Sequence, residues 1–359
     1  MQEASRRLAL IDAAKAIASQ LIVLHHLAFY GPMSDFAQDL APALISWLSQ
    51  HARIAVQIFL VAAGFLAAQS MAPTGQLLTT NPLSLLQKRY FKLVIPYAAA
   101  LLLSIFCAAI ARALMTHSST PDAPTLAQFI AHLLLLQSIL GYDGLSAGVW
   151  YIAIDFQLFA LLLGTLWLAR GIGAGRSTTV IFGQLLVSAL ALGALFFFNR
   201  DAAWDNWAIY FFGSYALGVL AYWASNRKQA PAWLLLIAAI VITALLMDYR
   251  SRIAVALVVA MTLGMARYTG FLARWPKSPL IAWLGQISYS VFLVHFPVCL
   301  LINALFSHFT ISDPMLNLIG MFIAWAASIA AGALFYRLVE SRSGQLLQRT
   351  QRALLKLKP

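Results

Sequence analysis

The sequence predicts an all-α polytopic membrane protein of about ten transmembrane helices, with both termini in the cytoplasm. Of its 359 residues, 62% are hydrophobic and 10% charged, and the mean hydropathy is +0.80, leaving too few polar side chains to coat a soluble globule. The apolar runs last about 17 to 25 residues and repeat with a helical rather than an alternating pattern, which suits spans through about 30 Å of hydrocarbon and argues against a β-barrel. The third observation is charge placement. With the N-terminus inside, all of the 24 Lys and Arg residues fall on the cytoplasmic side except Arg53, Arg112, Arg200, Arg250 and Arg252, as the positive-inside rule requires of one orientation only. The net charge of +12 is therefore topological, and no nucleic-acid partner is expected.

Taken in order, the expected spans are 8–30, 52–72, 90–112, 149–169, 178–198, 206–224, 232–248, 251–268, 281–306 and 315–337. The first lacks a small-residue cleavage site and carries Lys15 and His26, so it is expected to be a retained span rather than a signal peptide. The third has the basic cluster Lys88, Arg89 and Lys92 at its inner end, just before Pro96. Short connections make most neighbours antiparallel, and the exception is the outer segment 113–148. Behind Pro121 and Pro124 it holds an apolar run, Leu126 to Leu140, too short to cross, which is expected to form an interfacial or re-entrant helix near 126–140. The fourth span opens on Trp150 and Tyr151 and carries Asp155; the ninth carries Ser288, Tyr289 and His295. Residues 1–340 read as one transmembrane domain. Residues 341–359 read as a basic amphipathic tail suited to anionic membrane lipids, with Leu346, Leu347, Leu354 and Leu355 among Arg349, Arg352, Lys356 and Lys358.

Ionisable groups inside a membrane are costly, which makes Lys15, His25, His26, Asp155 and His295 the candidates for chemistry, with Glu340 near an inner end. His26 lies about 6 Å below the outer end of its span and Asp155 about 9 Å down its own, so the two are expected to meet, the carboxylate orienting the imidazole as a base. Lys15 lies about 16 Å nearer the cytoplasm on nearly the same helix face as His26, whereas His25 points about 100° away and is expected to be structural. Lys88, Arg89 and Lys92 suit a phosphorylated cytoplasmic cofactor, although topology alone also accounts for such a cluster. Trp150, Tyr151 and Tyr289 offer faces for a sugar, or belong to an interfacial aromatic belt. His295 either polarises a donor or bonds across helices. Phosphate-loop, dinucleotide and zinc-ligand spacings are absent, and no metal is expected; Cys107 and Cys299 lie inside apolar runs as small hydrophobes.

Together these stretches resemble the acyltransferase-3 family of bacterial membrane acyltransferases, over nearly the whole chain. The resemblance rests on Asp12, Lys15 and His26 in IDAAKAIASQLIVLHH, where ten residues separate the basic residue from the histidine. It continues through Phe59, Gly64 and Phe65, with Gln57 and Ala63 where the family usually has Asp and Ser. KRYFKLVIPY, WYIAIDFQLF with Asp155 for the commoner Glu, LGQISYSVFLVHFPV with Ser288, Tyr289, His295 and Pro297, and Glu340 follow in order. The resemblance implies a multi-pass protein of the bacterial inner membrane that transfers an acyl group, most simply acetyl from acetyl-CoA, to a hydroxyl of a surface glycan or glycolipid such as lipopolysaccharide. On it, Lys15, His26 and Asp155 are catalytic, with His26 as general base or acyl relay; Lys88, Arg89, Lys92 and His295 hold acyl-CoA; and Trp150, Tyr151 and Tyr289 hold the acceptor. No further domain is expected after the tenth span, so transfer would finish inside the membrane domain. A competing class is a transporter or flippase of a lipid-linked glycan, with a His/Asp proton relay.

Overall fold

The computed structural model describes residues 8–226 and 228–343, and these form helices with no strand among them. In these residues fourteen α-helices run in chain order: α1 Ala9–Phe29, α2 Met33–Ala37, α3 Pro42–His51, α4 Val56–Met71, α5 Pro82–Leu114, α6 Leu126–Leu133, α7 Trp150–Ile172, α8 Arg176–Phe196, α9 Ala208–Ala224, α10 Ala230–Met247, α11 Ser251–Tyr268, α12 Phe271–Arg274, α13 Pro279–His308 and α14 Pro314–Phe335. Each expected span meets a helix. Among the described residues nine helical stretches are long and apolar enough to cross a bilayer, and Ala208–Ala224 is a shorter apolar helix. The expected tail lies, from residue 344 on, outside the described residues, as do Arg6, Arg7 and Arg227.

The chain divides into two compact units. The first contains α4, nearly all of α7, and α8 to α12. Its centre is α9, which is buried on almost every side and packs on α4, α8 and α11. The contact with α4 is close because neither partner has a side chain at the crossing: a Cβ on Gly64 would stand 2.0 Å from Tyr215 O, and one on Gly218 2.0 Å from Val61 O. Small residues that let two backbones approach are the usual glue of membrane helices, where apolar burial alone does not favour association.

The arginines that break the charge pattern have structural roles. Arg250 is buried and donates from Nη1 to Leu195 O (2.9 Å) and Asn199 Oδ1 (3.0 Å) and from Nη2 to Ala244 O (3.3 Å), satisfying carbonyls at the last turns of α8 and α10. Arg252 donates to Asn199 O and lies 4.5 Å from the Tyr210 ring centroid, and Arg200 pairs with Asp248 at 3.6 Å. In the second unit Arg112, in the last turn of α5, donates to Pro121 O at 2.8 Å. Four of the five exceptions thus hold helix ends and loops. Composition alone reads them only as charges on the wrong side.

The second unit contains most of α1, α2, α3, α5 from Lys88 onwards, α6, and nearly all of α13, with α14. Val23, Leu27 and Ala28 of α1 pack with Ile287, Val291 and Cys299 of α13 and Met321 and Ala324 of α14. The turn after α1 is pinned to α13 by Asn303, whose Oδ1 accepts from Met33 N (2.9 Å). The helix α5 begins earlier than the apolar run implies, because Asn81 Oδ1 accepts from Ser84 N at 3.1 Å and Pro82 follows it in the first helical position. Lys88 and Arg89 therefore lie inside a long helix, with Lys92, rather than ahead of the span.

The connection 115–149 also differs in detail from the expectation of a helix near 126–140. Thr125 opens α6 with a capping box to Gln128, but the helix stops at Leu133. There Leu135 N donates to His132 O and Leu136 N to Ala131 O, with Leu135 in the left-handed region at φ 59°. The last turn of α6 is held by Tyr90, whose hydroxyl donates to Leu133 O at 2.9 Å. Tyr90 precedes Leu114, where the connection leaves α5, by 24 residues, about 36 Å of helix. The connection consequently doubles back along α5 instead of lying across its end.

Candidate active site

The ninth expected span carries His295. Pro297 lies within α13, two residues after His295, and removes one donor from the helical ladder there. His295 is fully buried, and its Nδ1 faces two backbone carbonyls, Phe292 O at 2.8 Å and Val291 O at 3.2 Å. A carbonyl only accepts, so Nδ1 carries the hydrogen and the neutral ring keeps its lone pair on Nε2. That atom stands 2.6 Å from His26 Nδ1. His26 must then donate from Nδ1, which leaves the lone pair of His26 on Nε2. The two rings are nearly parallel, 6° apart, with centroids at 4.9 Å.

This pair spans 269 residues of sequence and joins α1 to α13. His26 is buried, with Tyr30 one turn on at a centroid distance of 5.6 Å. Its neighbour His25 turns the other way and donates from Nδ1 to Leu48 O of α3 at 2.9 Å, the structural role its angle implied. Gly148 approaches the pair from the end of the returning connection. It has φ +76°, and a Cβ there would stand 3.0 Å from Phe292 Cζ and 3.4 Å from His26 Cε1. Only glycine meets both demands without strain. Gly148→Ala is expected to lower turnover about tenfold with the donor KM little changed. Steady-state kinetics beside a thermal melt checks this, and wild-type turnover would show that the backbone has room to move.

The other predicted residues divide between the units. Tyr151 packs edge-on against Phe292 at 5.6 Å and has Trp150 beside it, so both aromatics expected to face the acceptor belong to the second unit with the histidines. Tyr289, also in this unit, has its hydroxyl engaged: it donates to Leu93 O of α5 at 3.0 Å, close to the Pro96 interruption. Arg89 is half-buried on the face of α5 that carries buried Leu93, Pro96 and Tyr97, whereas Lys88 and Lys92 are exposed, about 100° and 60° round the helix from it. Lys15, half-buried on α1, and Asp155, buried on α7, fall in the first unit. So does Gln57, which stands where the family usually has Asp and is buried.

Two residues escaped sequence reasoning. Ser290 donates to Glu340 Oε2 at 2.5 Å, and beside this bond Gln286 donates to the Tyr336 hydroxyl. A π-helical turn, Tyr336–Glu340, ends α14 here and places both Tyr336 and Glu340 toward α13. The late Ser-Tyr-Ser stretch and the terminal acid, read separately in the sequence, are thus two halves of one contact. The other is Gly148, which could have been found only from its place two residues before the aromatic pair.

Among the described residues no group of His, Cys, Asp and Glu has the arrangement of a metal site. No curated protein and no solved structure matches the chain. The family model for an acyltransferase domain of the acyltransferase-3 type matches residues 8–337, nearly the full length. The paired buried histidines, the ordered motifs and the apolar helices thus sit in a chain that belongs to the acyltransferase-3 family, a multi-pass membrane acyltransferase.

Proposed function

We propose that the protein transfers an acetyl group from acetyl-CoA, supplied from the cytoplasm, to a hydroxyl of a surface glycan or glycolipid, acting in a bacterial inner membrane with both termini inside. The observation that carries this reading is the lone pair held on His26 Nε2 by the chain of hydrogen bonds from Phe292 O through His295. A buried imidazole held in one tautomer is a general base with its accepting atom already chosen.

In the reaction, the acceptor hydroxyl attacks the thioester carbonyl and gives its proton to His26 Nε2. The imidazolium that forms is stabilised through Nδ1–H by His295 Nε2, a neutral acceptor that needs no counter-charge of its own. Collapse of the tetrahedral intermediate breaks the C–S bond, and the same proton passes to the departing thiolate, giving CoA thiol and an ester. Arg89, on the inward face of α5, is the first choice for the CoA phosphates, with Lys88 and Lys92 adding charge at the mouth. Trp150 and Tyr151 shape the acceptor side and Lys15 keeps the catalytic role that family resemblance implies, while in this mechanism the orienting of His26 expected of Asp155 falls to His295, which engages the ring's one N–H.

Purified protein incubated with acetyl-CoA and candidate glycans, with free thiol and acetylated product followed together, tests the proposal. Glycan-dependent thiol release with matching ester formation is expected. Absence of both with every glycan, and with longer acyl-CoA donors, would overturn it.

A further inference from the structure

The buried face of α5 carries two polar side chains that the reaction above leaves without a task. Tyr97 and Ser104 are both buried, and among the described residues neither the Tyr97 hydroxyl nor Ser104 Oγ has a hydrogen-bond partner. Comparable groups in the same unit are satisfied. Tyr90 and Tyr289 donate to the carbonyls of Leu133 and Leu93, while Ser288 and Ser328 donate back to Gly285 O and Ala324 O of their own helices. A buried hydroxyl without a partner costs free energy, and two of them on one helix face call for a ligand that supplies the bonds.

The place of the pair narrows the choice of ligand. Leu93, Tyr97, Ser104, Ala108 and Ala111 are all buried and fall within about 60° of one another round α5. Both ends of this strip meet α13: Leu93 O accepts from the Tyr289 hydroxyl at 3.0 Å, and Ala108 and Ala111 share a core with Phe296 and Leu300. Between those contacts the strip follows the stretch of α13 that carries His295, and His295 is bonded to His26. Arg89 stands at the start of the strip, about 40° from Leu93 round the helix and about 12 Å before Tyr97, and Ser104 lies about 10 Å beyond Tyr97. One face of α5 thus leads from the guanidinium to the histidine pair, with a hydroxyl at each of two points on the way and apolar Ala100 and Leu101 between them.

We propose that Tyr97 and Ser104 bind the pantetheine arm of the acyl-CoA donor, the Tyr97 hydroxyl meeting the pantoyl end and Ser104 Oγ the amide beside the sulfur. The arm alternates methyl and methylene groups, which suit Ala100 and Leu101, with a hydroxyl and two amides, which need partners once they leave water. Arg89 takes the phosphates, and the thioester is presented to His26 by an arm held at two points. The inference rests on the acyl-CoA reading above and adds to it the side chains that recognise the arm.

The test uses the full chain purified in detergent, with binding of CoA and of 3′-phospho-ADP, the donor's nucleotide end without the arm, measured by titration calorimetry beside a thermal melt. Tyr97→Phe removes a single oxygen, and Ser104→Ala does the same. Each is expected to weaken CoA binding about fivefold to tenfold, the effect of one lost hydrogen bond, and to leave 3′-phospho-ADP binding within about twofold. Because both hydroxyls lack a partner in the protein itself, neither variant should melt below wild type. A hydroxyl with a purely structural role would give the reverse, a lower melting temperature with CoA affinity unchanged. That result, CoA affinity unchanged in both variants, or an equal loss of affinity for the two ligands would each overturn the proposal. Wild-type protein that neither binds CoA nor releases thiol from acetyl-CoA would instead overturn the donor reading, and this inference with it.

Discussion

His26→Ala should reduce turnover by at least about 10³-fold while the protein still inserts, folds and binds donor. The size follows from the loss of the only step in which the acceptor proton is taken up. Alanine leaves no group at Nε2, and the partner His295 has its own Nδ1 committed to Phe292 O, so its freed Nε2 belongs to another helix and another position. Removing one buried ring costs stability, but α1 remains held by Val23, Leu27 and Ala28 in the second unit's core. Turnover measured on protein of confirmed fold, with donor affinity determined separately, isolates the chemical step. Wild-type rates from such a preparation would exclude His26 from the reaction. Intersecting initial-rate lines for donor and acceptor would accompany direct transfer, whereas parallel lines would mean that His26 carries the acyl group itself.

The second large effect belongs to His295. In the proposed reaction it acts through His26, by accepting from Nδ1 and so choosing the tautomer; its loss is then expected to lower kcat by about 10²-fold or more, with KM for acetyl-CoA changed no more than about threefold. His295→Ala alone would also open a cavity in a fully buried position, so a fall in activity from it is ambiguous. His295→Gln resolves the ambiguity because a side-chain carbonyl can still accept from His26 Nδ1. It should recover about a tenth or more of the wild-type kcat, well above the alanine variant. A glutamine variant as inactive as alanine, at equal thermal stability, would mean that His295 acts in another way. A large rise in KM instead would return it to the donor-binding role that the sequence equally allowed.

The local features of this protein are legible along the chain itself. Helix class and most boundaries follow from hydropathy, because in a bilayer each backbone segment must satisfy its own hydrogen bonds and can do so only as a helix about as long as the membrane is thick. The ten-residue spacing from Lys15 to His26 is legible for the same reason, since it concerns one helix. The exceptions lie where a cap, not hydropathy, decides. The start of α5 at Pro82 rests on Asn81, and the end of α6 at Leu133 rests on the left-handed Leu135.

The site itself divides along that line. The sequence by itself determined that the chain is a polytopic helical protein of the acyltransferase-3 family, that His25 and His26 point to different sides of one helix, and that a basic stretch stands near the start of the third span. Only the tertiary structure decided that the ring bonded to His26 Nδ1 is His295, that Ser290 meets Glu340, and that a glycine without a side chain stands over the pair. These contacts join residues up to 269 positions apart. Periodicity and spacing describe neighbours along one helix, while a hydrogen bond between helices depends on how they pack. The His26 tautomer on which the proposed reaction rests depends, in turn, on that single bond.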